Sequence, residues 1–270
     1  MKRKIILLFL LMFSLIALSG CSSLNVFQYY VYDDTNYNIG NKAYNEIIEE
    51  INIDWIVGNV YIVQSSNHEI IIREETDIEI EDKFKMHYKL DNQILDIKFA
   101  GSNAKLNYSY KIKDLYVFLP SQMNKIQINN VSSDININNV QIKDLEIDNV
   151  SGDIQVEKSK INEIGITNVS GEIIILDNEI NSIEIETTSG NIGLSFAKMP
   201  HELDLSSISA NITIYIESID SISVEFSTIS GNFKSNLEYT TKGDTYIFNG
   251  SKENEYDVDT ISGNLIINKK

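Results

Sequence analysis

Val131-Ser132-Ser133-Asp134-Ile135 returns as Val150-Ser151-Gly152-Asp153-Ile154 and again as Val169-Ser170-Gly171-Glu172-Ile173. Further copies read Thr188-Ser189-Gly190-Asn191-Ile192, Ile208-Ser209-Ala210-Asn211-Ile212, Ile229-Ser230-Gly231-Asn232-Phe233 and Ile261-Ser262-Gly263-Asn264-Leu265. The serines stand at 132, 151, 170, 189, 209, 230 and 262, in steps of 19, 19, 19, 20, 21 and 32. Self-similarity at so short a period marks a repeat architecture, and it governs the reading of everything around it.

Working outward, three positions before each copy stand Ile128, Ile147, Ile166, Ile185, Leu205, Phe226 and Val258. Five positions before stand Ile126, Leu145, Ile164, Ile183, Leu203, Val224 and Tyr256. After the signature, alternation continues through Ile137, Val156, Ile175, Leu194, Ile214 and Ile267, and only Ser235 breaks it. Period-two alternation on both sides of a turn predicts two short strands per repeat, each with one buried face. Such a unit cannot bury its apolar face alone, whereas copies stacked in register can. The expected fold is therefore all-β, a single-chain β-solenoid (β-helix) with coils of about 19–21 residues. A β-propeller blade needs about 40 residues and four strands, twice what each repeat offers.

An early copy of the template reads Ile51, Ile53, Ile56, Gly58, Asn59, Val60 and Ile62, with Trp55 placed outward by alternation. Looser strand-like runs at 70–72, 94–99 and 115–119 predict hairpin extensions in the early coils. Residues 237–248, around Lys242-Gly243-Asp244, predict a hairpin extension of the last coil. Glycine fills the corner slot in most copies, but Ser133 and Ala210 occupy it too. Alanine resists positive φ, so the slot reads as a tight corner that admits only a small side chain. The corner serines have no recurring histidine beside them and read as turn hydroxyls bonded to local backbone.

The chain has 270 residues, 22 Lys+Arg, 39 Asp+Glu, three His and one Cys, a net charge of −17. This acidity argues against nucleic acid as a partner, since phosphate binding needs a cationic surplus. One cysteine excludes a disulfide framework and a cysteine-based zinc site. His68, His87 and His201 share no motif spacing, and each reads as a surface residue.

That cysteine has a telling position. Lys2, Arg3 and Lys4 precede an apolar run from Ile5 to Leu18, which ends in Leu18-Ser19-Gly20-Cys21. The arrangement resembles the lipobox of bacterial lipoprotein precursors and implies diacylglycerol attachment at Cys21. An uncleaved anchor helix would have no need of a cysteine there. The expected organisation is a signal peptide over 1–20, a tether or N-terminal cap over 21–50, and the solenoid over 51–270. Cleavage would remove three basic residues and leave a mature charge of −20. The tether is rich in tyrosine, including Tyr29, Tyr30, Tyr32, Tyr37 and Tyr44, which read as a cover for the first coil. A short helix is expected near 46–50.

One outward column after the corner reads Asn59, Asp134, Asp153, Glu172, Asn191, Asn211, Asn232 and Asn264. Others run through Glu146, Glu184, Asp204, Glu225 and Asp257, and through Asp148, Glu186 and Asp259. Stacked carboxylates could bridge a divalent cation. The favoured reading is a solvated face that keeps sheets apart, since no closed ligand loop of the D-x-D-x-D-G kind appears. The acids follow the repeat and are not concentrated in one irregular coil, as a catalytic groove would require. No catalytic, cofactor-binding or metal-binding residue is assigned, and no cofactor is expected.

The run Leu115-Tyr116-Val117-Phe118-Leu119-Pro120, the repeated signatures, and the closing residues Tyr256 to Ile267 together resemble the bacterial putative-adhesin family of β-strand-repeat proteins, a domain of unknown function. The resemblance covers about 51–270 and implies an extracytoplasmic, often membrane-attached solenoid, with no catalytic residue to carry over. The reading is a non-catalytic lipoprotein, held on the membrane by its N-terminal lipid. It acts as an adhesin-like interaction or envelope-sensing module towards an envelope protein or glycan. The alternative is a calcium-dependent polysaccharide-acting enzyme of the β-helix type.

Overall fold

The computed structural model describes residues 29–67, 69–105, 112–120, 122–218, 221–250 and 254–270. Cys21, the apolar run before it and His68 lie outside the described residues. The chain winds as a flattened β-solenoid with two faces. Each regular coil gives a long strand to a 13-stranded sheet and a short strand to an 11-stranded sheet. The strands Gln122–Ser132, Gln141–Ser151, Lys160–Asn168 and Glu179–Ser189 lie parallel on one face. Ile135–Asn138, Ile154–Glu157, Ile173–Leu176 and Ile192–Phe196 run parallel on the other. Ile126 thus pairs with Leu145, Leu145 with Ile164 and Ile164 with Ile183, the vertical register expected from the repeat. β-Branched side chains stack well in such columns.

The long strands exceed the expected length because each carries a stacked bulge. The pairing register passes over Asn124, Lys143, Asn162 and Asn181. The extra residue turns the strand so that Met123, Ile142, Ile161 and Ile180 also point inward. The residue before each signature, Asn130, Asn149, Asn168 or Thr187, is buried as well. Trp55 holds the equivalent place, since it pairs with Asn130. It is fully buried rather than outward, and its indole N–H donates to the Lys113 carbonyl at 3.2 Å. Alternation counted from Ile51 and Ile53 sends it inward, and Ile56 is the outward member.

Coil order departs from chain order at both ends. In the 13-stranded sheet, Glu50–Val57 lies between Ile94–Lys98 and Gln122–Ser132. In the 11-stranded sheet, Val60–Gln64 lies between Asp114–Leu119 and Ile135–Asn138. At the far end, Asn254–Thr260 sits between Glu202–Ser209 and Ile222–Thr228. Leu265–Lys269 likewise sits between Ile212–Ile216 and Phe233–Ser235. The coil nearest each chain end is therefore interior to the stack. The expected C-terminal hairpin exists, as Thr240–Lys242 with Thr245–Phe248. It pairs antiparallel with residues 222–225, on the coil before the last in sequence and outermost in space.

Antiparallel strands close the other end. His87–Asp91 and Asn38–Ile39 finish one sheet, and Ile70–Glu75 and Lys42–Tyr44 finish the other. Among the described residues the helical content is one 3-10 turn, Asp82–Phe84. No helix forms at 46–50. The Glu49 and Glu50 amides both donate to the Gln93 carbonyl, at 2.9 and 3.4 Å, and buried Ile48 docks into the core. Those contacts hold the segment extended into the strand that follows. His87 is buried, its Nδ1 2.9 Å from the Lys85 carbonyl oxygen, whereas His201 is exposed as expected.

Candidate interaction surfaces

The corner determines which side chains face outward. Gly152, Gly171 and Gly190 adopt φ of +116°, +119° and +122°, and Gly58 +100°. A Cβ on any of them would also collide with a carbonyl oxygen in the neighbouring coil: Ser133 for Gly152, Gly152 for Gly171, Gly171 for Gly190. Gly231 and Gly263 meet the same obstruction without positive φ. The expectation of a small-residue corner thus holds for close approach, but four glycines also need the left-handed region, where a side chain is strained. Ser133 and Ala210 fit because their backbone does not enter it.

Inside this corner runs a ladder of buried amides. Asn130 Nδ2 donates to Asn149 Oδ1 at 2.6 Å, and Asn149 Nδ2 to Asn168 Oδ1 at 2.9 Å. The same amides donate to the corner carbonyls of Ser133, Gly152 and Gly171 at 2.7–3.0 Å. Further along, Ser207 Oγ donates to Thr260 Oγ1 at 2.9 Å. The ladder was visible as an asparagine every nineteen residues, one place before the signature. Its polarity hid its inward direction.

Outside the corner, the acidic column has a structural task. The Asp153 amide donates to Asp134 Oδ1 at 2.9 Å, and the Glu172 amide to Asp153 Oδ1 at 2.8 Å. The asparagines repeat the device: Asn232 N–H bonds Asn264 Oδ1 at 3.0 Å, and Asn264 N–H bonds Asn211 Oδ1 at 3.3 Å. Each side chain captures the corner amide of the next coil, a donor that otherwise lacks a sheet partner. Among the described residues, no three His, Cys, Asp or Glu side chains converge as a cation site would need. On the broad face, Lys125 joins Asp144 at 3.6 Å and Glu146 at 3.0 Å, which dilutes the acidity locally.

Between these columns the first residue of each signature faces water. Val131 and Val150 are about half exposed, Ile261 is 37% exposed, and Ile229, on the outermost coil, is 83% exposed. Val169 and Ile208 continue the line, partly covered. Beside it, Ser170 and Ser189 hydroxyls donate to the Val150 and Val169 carbonyls of the neighbouring coil at 3.2 and 3.3 Å. The serines thus bond across coils rather than within their own turn. The result is an uncharged ridge of valine, isoleucine and serine running along an acidic rod.

Lys113 marks where the regular stack ends. It is 2% exposed, and its ammonium donates to Glu74, to the Phe99 carbonyl and, at 2.6 Å, to the Phe84 carbonyl. It lies 4.3 Å from the Phe99 ring centroid and 5.2 Å from that of Trp55. Burial lowers its pKa to about 8, against the opposing pull of the Glu74 carboxylate. A cation so enclosed closes the end of the core and is not placed to attack a substrate.

The family model of the Toastrack domain, DUF4097, matches residues 46–268 of this two-faced solenoid. The chain belongs to that family. Several solved structures are similar to the chain at low identity. A putative cell adhesion protein from Clostridium sporogenes is 13% identical (TM-score 0.42), covering 86% of this chain and 100% of that one. A putative lipid binding protein from Parabacteroides distasonis is 14% identical (TM-score 0.47), covering 88% and 98%. A putative adhesin from Bacteroides fragilis is 11% identical (TM-score 0.43), covering 86% and 97%. No curated protein matches the chain.

Proposed function

We propose that this protein is an extracytoplasmic lipoprotein, anchored through Cys21, whose rigid solenoid is a non-catalytic interaction module towards a protein or glycan of the cell envelope. The observation that carries the reading is the corner ridge. Core packing requires nothing apolar at Val131, Val150 or Ile229, yet the exposed position stays apolar in most coils while the faces around it are acidic. Apolar surface repeated in line is how a rod offers one edge to a partner. The lipobox supports the location: lipid chains at Cys21 would hold the molecule on a membrane face, each buried CH₂ contributing about 0.8 kcal/mol. In the acidic column that a calcium-dependent enzyme would use, Asp134 and Asp153 each accept a corner amide from the next coil.

Two measurements test this. Cells fed an alkyne-tagged fatty acid should label the full chain, and Cys21→Ser should abolish the label. A photo-reactive residue at position 150 should form discrete adducts on intact cells, and one at position 186, on the broad face, should not. Equal adducts at both positions, or none, would count against the ridge as the interaction edge.

A further inference from the structure

The segment from Asn36 to Tyr44 arches over the end of the stack nearest the N-terminus. It passes from the outermost strand of one sheet, Asn38–Ile39, to that of the other, Lys42–Tyr44. Gly40, at φ +91°, makes the turn between them. Beneath the arch is an open cavity of about 320 Å³, at the small end of the range for ligand pockets. Its lining is mostly polar: Asn36, Asn38, Lys42, Lys89 and Asp91, on a floor that includes Tyr44 and Leu90.

Two features set this cavity apart. Two lysines and a single carboxylate line the cavity, in a chain with nearly twice as many acidic as basic residues. Lys89 lies 3.5 Å from Asp91, a long pairing whose lysine is half-buried, while Lys42 lies 5.8 Å from the Tyr44 ring centroid. Finally, two carboxamides stand beside the cations, the groups that answer ring hydroxyls in both donor and acceptor roles.

We propose that this cavity binds one ring of an acidic saccharide, its hydroxyls met by Asn36, Asn38 and Asp91 and its carboxylate by Lys42 and Lys89. The volume suits a single ring, and the mixture of cation and amide suits a ligand that is both charged and polyhydroxylated. This proposal rests on the reading of the chain as an anchored interaction rod and gives its membrane-proximal end a ligand class.

Saturation-transfer NMR on the full-length chain in detergent, with sodium glucuronate as probe, tests it. Glucuronate should receive saturation with a dissociation constant on the order of 1 mM, ordinary for one ring. The Lys42→Gln/Lys89→Gln variant should weaken it about tenfold or more, and Lys160→Gln, far along the rod, should not. Tyr44→Phe keeps the packing and removes a hydroxyl that is sealed from the cavity. It should leave glucuronate binding unchanged, with the fold checked by circular dichroism. Glucose saturating as strongly as glucuronate, inorganic phosphate competing as well as glucuronate, or no saturation at about 50 mM would each overturn the proposal. If glucuronate fails while position 150 still cross-links on cells, only the cavity assignment falls. If both fail, the interaction reading falls with it.

Discussion

Gly171 and Gly165 stand six residues apart and carry opposite demands. Gly171 has φ +119° and no room for a Cβ, whereas Gly165 lies in a strand with nothing within 4 Å of where a Cβ would point. Gly171→Ala should cost about 2–4 kcal/mol from strain and forced backbone separation. Gly165→Ala should change stability by no more than about 0.5 kcal/mol. Urea titration of both variants checks the contrast. Asn149→Ala removes the middle of the amide ladder and leaves Asn130, Asn168 and the Gly152 carbonyl each short of a partner, a loss of about 2–3 kcal/mol by the same measurement. Lys113 adds a pH signature. Its pKa is lowered in the folded chain to about 8, so between pH 8 and its unfolded value of 10.5 the unfolded state holds more protons. Stability should therefore rise with pH across that window. Tyr37 is pushed up to about 12 by burial and nearby carboxylates, and burial raises Tyr44 as well. Above pH 10 the folded state then holds more protons, and stability should fall. Thermal melts from pH 7 to 11 should show the rise and then the fall, and Lys113→Met should lose the rise.

At the scale of the element, the recurring signature disclosed the strands, the corner and the vertical register, because identical columns leave little freedom in how copies align. It could not disclose which coil neighbours which. Rungs built to one template accept one another in any order, so the interleaving at both ends leaves no trace in the period. The polar inward positions were hidden for a different reason. An asparagine on the buried face reads as outward unless its partners, here the amides above and below, are known. Trp55 was misplaced because it substitutes for that asparagine. The Asn36–Tyr44 arch follows no repeat, and the cavity beneath it joins residues about fifty positions apart that no motif connects. The interleaving itself makes a prediction. Ending the chain at residue 253 removes the interior coil on which 222–228 and 233–235 are seated. Limited proteolysis with mass analysis should then find cuts across 222–248, while 122–196 stays protected. If the stack were sequential, only the last coil would be lost.

For the whole molecule, charge is the governing quantity. An excess of acidic over basic residues spread along stacked columns repels itself, and the side-chain-to-amide bonds at the corner hold those columns one coil apart regardless. Adding sodium chloride to about 0.5 M should raise the melting temperature by screening, since the Debye length then falls below the distance between the faces. A flat or falling response would mean that the lysine pairs already balance the field. The swapped order of coils has a mechanical consequence. Were the first coil outermost, tension along the N-terminal segment would peel it away one hydrogen bond after another. Here that tension passes, beyond the capping strands, into Glu50–Val57, which is gripped by parallel neighbours on both flanks. Drawing it out means shearing two rows of bonds together, so a pull on the N-terminal segment meets a clamped strand once the caps have given way.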